Sequence, residues 1–62
     1  MKKAYGPYKG WMLFIIPGWY KQKTAFFVVG PGPDPKVLYN DRATFDDAKI
    51  AGQKVLRHEA DQ

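Results

Sequence analysis

Two runs of the chain, residues 11–16 (WMLFII) and 25–29 (AFFVV), are apolar at every position. A strand half-buried against a single core alternates apolar and polar residues, because successive side chains point to opposite faces of the sheet. Strands without that alternation put apolar groups on both faces. If the two runs pair as a hairpin, Trp11, Leu13, Ile15, Phe26 and Val28 share one face, and Met12, Phe14, Ile16, Ala25, Phe27 and Val29 share the other. Both faces then need a cover.

The sequence offers one helix to supply it. Thr44 is suited to an N-cap, with Asp46 and Asp47 in the first turn, where negative charge favours the helix dipole. Phe45, Ala48, Ala51, Gly52, Val55 and Leu56 recur at helical spacing and form one apolar stripe. Gly52 in mid-helix costs about 1 kcal/mol relative to alanine, which predicts a close approach there to a large aromatic on the sheet. Ile50 lies off the stripe, beside Lys54 and Arg57. One helix covers one face, and a second face of several aromatic and aliphatic groups exceeds what soluble monomers expose. Three covers are open: a second copy of the chain, the N-terminal segment folding back with Tyr5 and Tyr8, or a different partner. A second copy is the leading expectation, since most oligomers are symmetric and small cores often complete themselves in this way.

The remaining elements follow from turn chemistry. Residues 1–7 (MKKAYGP) read as a flexible tail, because Gly6 and Pro7 interrupt any pattern. A first strand is expected over residues 8–16, a second over 24–29 and a short third over 36–40 (KVLYN). Pro17 cannot take the positive φ of a tight two-residue hairpin, so residues 17–23 (PGWYKQK) read as a loop, with Ile15 opposite Thr24 and Met12 opposite Phe27. Residues 30–35 (GPGPDP) form a stiff connection without strand structure. The expected fold is α+β, a three-stranded antiparallel sheet (β-β-β-α) with a C-terminal helix on one face, in a single domain over residues 8–60.

Size and composition narrow the function. The chain has 62 residues, no cysteine and one histidine, His58, so a disulfide framework and a thiolate metal site are excluded. No cofactor or metal is expected. His58 beside Glu59 suits the helix end, and no nucleophile or ligand set accompanies it, so an enzyme is not expected. The GPGP segment lacks the N–H groups of a phosphate cradle. The apolar run after Lys2 and Lys3 is too short for a membrane span and has no small-residue cleavage pattern, which leads to an expectation of a cytoplasmic protein.

Charge is unevenly placed. Residues 1–33 carry Lys2, Lys3, Lys9, Lys21 and Lys23 and no acid, whereas residues 34–62 carry five basic groups against six acids. The basic, aromatic first half makes nucleic acid an alternative partner. The most site-like loop holds Trp19, Tyr20, Lys21 and Lys23, where aromatic rings could stack on bases or anchor a protein interface. The leading expectation is a small non-enzymatic interaction module, a homo-oligomer or a binder of another protein, associating through Met12, Phe14, Ile16 and Phe27.

Ala48, Lys49, Gly52, Val55 and Leu56 within DDAKIAGQKVL match the last helix of double-stranded RNA-binding domains, and strands followed by this helix resemble the C-terminal part of that family. Asp46 and Asp47 stand where the family has phosphate-binding lysines, so only Lys49 carries over. The layout also looks like the arm-binding domains of phage integrases, whose sheet enters the DNA major groove, but here the sheet faces are too apolar for that role. The chain is assigned to neither family, and the likeness implies shared helix-on-sheet packing.

Overall fold

The computed structural model describes residues 2–62. Strands β1 (Lys3–Tyr8), β2 (Trp11–Tyr20), β3 (Lys23–Val29) and β4 (Val37–Arg42) form one antiparallel sheet in sequence order, followed by helix α1 (Phe45–Ala60). The architecture is α+β with a C-terminal helix, as expected, but the sheet has four strands rather than three.

The additional strand lies where the sequence reads as a tail. Lys3, Ala4 and Tyr5 pair with Ile15, Phe14 and Leu13, the register shifts, and Tyr8 pairs with Trp11. Gly6 and Pro7 occupy that bulge, Gly6 at φ 112°. They interrupt the ladder without ending the strand, because β1 is at the edge of the sheet, where a missing N–H is tolerated. Lys9 and Gly10, both at positive φ, make the two-residue turn into β2.

The connection from β2 to β3 also differs from expectation. Both strands extend through the presumed loop to Tyr20 and Lys23, and the turn is Lys21–Gln22, at φ 49° and 61°. The Pro17–Gly18 pair does preclude a tight turn at its own position. It instead creates an irregularity between Ile16 and Tyr20, with Gly18 at φ 68°. The register is Ile15 opposite Phe26, Phe14 opposite Phe27 and Met12 opposite Val29, two residues from the expected pairing. A slip of two keeps every side chain on its face, so the division of the hairpin into two apolar sides stands.

Helix α1 covers the odd-numbered side of β2. Leu13, Ile15, Phe26, Val28, Ala48 and Leu56 form the buried core, with Tyr5, Tyr8, Trp11, Leu38 and Phe45 packed around it. Gly52 is buried where the helix crosses Leu13, and a Cβ there would lie 2.5 Å from Leu13 Cδ1. The close approach is therefore to an aliphatic side chain rather than to an aromatic one. Thr44 caps the helix, its hydroxyl accepting from the Asp47 N–H at 3.1 Å. The helix end is tied down twice: Asp61 accepts from Lys9 Nζ at 2.8 Å and from the Tyr8 hydroxyl at 3.0 Å, and Glu59 pairs with Lys36 at 3.0 Å. The connection between β3 and β4 is closed by the Gly30 N–H donating to the Lys36 carbonyl at 2.8 Å.

Candidate interaction face

Among the described residues, no segment of the chain lies across the side of the sheet away from α1. Tyr5 and Tyr8, which could have folded across it, pack on the helix side, where Lys49 lies 5.1 Å from the Tyr5 ring and Arg57 5.1 Å from the Tyr8 ring. From β1 the open side receives Ala4, the residue opposite Phe14.

Strand pairing arranges this side in cross-sheet rows. The central row runs Ala4–Phe14–Phe27–Tyr39, one residue from each strand. Beside it, Met12, Val29 and Val37 form an aliphatic row, and Gly6 lies at its β1 end, where a Cβ would meet Met12 Sδ at 3.2 Å. On the other flank, Ile16 pairs with Ala25 and Ala25 with Asp41. Directly opposed side chains in an antiparallel sheet are near neighbours, so each row forms a strip across the face.

Of the residues expected to form an association face, Met12, Phe14, Ile16 and Phe27 are together on this open side and all are half-buried. The turn residues divide. Trp19 belongs to the face: its ring stands edge-on to Phe27, centroids 5.4 Å apart at 81°, and Phe27 in turn lies 5.1 Å from the Tyr39 ring. Such edge and tilted contacts are favoured geometries for aromatic pairs. Tyr20, Lys21 and Lys23 remain at the exposed tip, with Lys21 Nζ 5.5 Å from the Tyr20 ring. The bulge at Pro17–Gly18 is what separates Trp19 from the tip and lets it join the aromatic row.

Sequence reasoning left Tyr39 and Val37 out of the face. Both are half-exposed there, Tyr39 at 49% and Val37 at 55%, comparable with Trp19 at 50%. Their alternate spacing in KVLYN was the available signal. The Tyr39 hydroxyl donates to Asp41 Oδ2 at 3.2 Å, and burial, reinforced by that carboxylate, raises the phenol above its ordinary pKa of 10.0. Asp41 is half-buried and belongs to neither ion pair found among the described residues, Lys9–Asp61 and Lys36–Glu59.

The helix side offers less. A shallow hollow lined by Arg42, Asp47, Ile50 and Lys54 includes one exposed apolar residue, Ile50. Among the described residues, no helix is long and apolar enough to cross a membrane, and no three His, Asp or Glu side chains are grouped as a metal site. No protein-family model, curated protein or solved structure matches the chain.

Proposed function

We propose that this protein is a small non-enzymatic interaction module that associates with itself through the open side of its sheet. The observation that carries this reading is the aromatic row Phe14–Phe27–Tyr39, extended by Trp19 and left uncovered by the helix. Such a contiguous apolar patch marks an interaction site on a soluble domain. Trp and Tyr are also the residues that most often anchor interfaces.

The magnitudes favour modest affinity. Trp19 and Tyr39 are each about half exposed, leaving roughly 100 Å² apiece of the ~200 Å² that an aromatic side chain can bury. Across two copies that is on the order of 400 Å², or about 10 kcal/mol of gross hydrophobic stabilisation at ~25 cal/mol per Å². Association costs roughly 4–15 kcal/mol in lost freedom, so at most about 6 kcal/mol remains, which corresponds to a Kd no tighter than roughly tens of micromolar.

Sedimentation equilibrium over a wide concentration range, at low and high salt, tests the reading. The expected result is a monomer–dimer equilibrium that high salt does not abolish, because apolar burial supplies most of its driving force. Val37→Lys puts a charge into the face at an exposed position and should displace the equilibrium to monomer with an unchanged circular dichroism spectrum. A chain that stays monomeric at all concentrations would refute self-association. Binding to nucleic acid that fell steeply with salt would favour the alternative use of the basic, aromatic half.

A further inference from the structure

The open face has a feature that bears on how two copies would meet. The register of Lys3 with Ile15 and Ala4 with Phe14, continued by one residue, places Lys2 opposite Ile16. The flanking row then reads Lys2–Ile16–Ala25–Asp41, with a cation at one edge of the sheet and a carboxylate at the other. Three strand spacings separate them, roughly 14 Å, too far for the two to pair within one chain. Asp41 is half-buried, holds one neutral donor, the Tyr39 hydroxyl, and makes no ion pair among the described residues.

With their strands kept aligned, two sheets can stack face to face about either of two in-plane two-fold axes. An axis perpendicular to the strands lays β4 on β4 with its direction reversed. Asp41 would then fall on the partner's Val37, burying a carboxylate against an aliphatic group. An axis parallel to the strands lays β1 on the partner's β4 and sets each row on its own counterpart in reverse. Lys2 then faces the partner's Asp41, twice by symmetry. Along the other rows Ala4 faces the partner's Tyr39, and Gly6 faces the partner's Val37. Small residues thus oppose Tyr39 and Val37, two of the large exposed side chains of the face, the arrangement that lets two layers interdigitate.

We propose that the protein pairs face to face with a second copy about a two-fold axis parallel to its strands, Lys2 of each copy meeting Asp41 of the other. The proposal rests on the self-association reading and specifies its geometry.

The test is sedimentation equilibrium on Lys2→Glu, Asp41→Lys and the double variant, with the wild type and Val37→Lys alongside. Each single reversal sets like charges together at two symmetric contacts and should weaken the dimer at least about tenfold. The double variant keeps the net charge of the wild type and should return to within about threefold of its affinity, since facing charges attract again. Lys2 is exposed beyond the start of β1, so Lys2→Glu reads the contact even if Asp41→Lys disturbs the sheet. If both single reversals left the dimer unchanged while Val37→Lys dissociated it, this geometry would be overturned and self-association would stand. A wild type that remained monomeric would overturn both.

Discussion

Replacing Gly52 by alanine tests the helix–sheet packing, because two effects of opposite sign meet at one atom. In an unobstructed helix, Gly→Ala adds about 1 kcal/mol of stability. Here the new methyl would lie 2.5 Å from Leu13 Cδ1 and 3.1 Å from Cδ2, against the ~3.5–4.0 Å that carbon atoms prefer. Leu13 is wholly buried, so its side chain has no open space to enter. Overpacking of this kind costs about 1–3 kcal/mol, and the net expectation is a loss of about 1 kcal/mol. For a domain of this size that corresponds to a drop in Tm of roughly 4–8 °C. The partner substitution is Leu13→Val, which removes both δ carbons at a cost of about 1 kcal/mol. In that background Gly52→Ala should become neutral or stabilising, with a coupling of about 1–2 kcal/mol between the sites. Urea unfolding followed by circular dichroism, at one fixed protein concentration so that self-association does not shift the midpoint, measures all four corners of the cycle. A Gly52→Ala protein about 1 kcal/mol more stable than the wild type, with no coupling to Leu13, would refute the packing argument.

Two smaller perturbations probe the ends of the helix. Thr44→Ala removes the acceptor for the Asp47 N–H and should cost about 1 kcal/mol in urea unfolding. Asp61 is held below the usual carboxylate range by hydrogen bonds from Lys9 and the Tyr8 hydroxyl, so its stabilising contribution is present above the ordinary value of 3.8 and is lost as pH falls through the lowered one. Asp61→Asn should accordingly be less stable than the wild type near neutral pH, and the two unfolding curves should converge in acid. Lys9 is raised by the same contact, so the wild-type advantage should also fade as pH rises above 10.5.

The faces of the central hairpin were legible from the sequence because side-chain direction has a period of two and survives a register slip of two. That is why Met12, Phe14, Ile16 and Phe27 share one side of the hairpin although Phe27 lies opposite Phe14 rather than Met12. The helix start was legible because Thr44, Asp46 and Asp47 are local signals. Strand β1 was not, since Gly6 and Pro7 ordinarily mark an interruption, and only the edge position makes a bulge there acceptable. The place of Trp19 was likewise hidden. It depends on the irregularity at Pro17–Gly18, which lets the chain continue as a strand to a turn built from Lys21 and Gln22, two residues with no turn signature. A loop in place of that turn separates Trp19 from the aromatic row, whereas Tyr39 joins the row independently, through the β3–β4 register that sets it opposite Phe27.

A second copy seated on the side of the sheet opposite the helix would bring the aromatic rows of two chains into contact. Isotope-filtered NMR on a mixture of labelled and unlabelled chains, at a concentration where the dimer is populated, reads that contact directly. Intermolecular cross-peaks are expected to join the ring protons of Phe14, Phe27 and Tyr39 to residues of the open face, with none to Ile50 on the helix. Intermolecular contacts confined to the helix side, or none at any concentration, would contradict this arrangement.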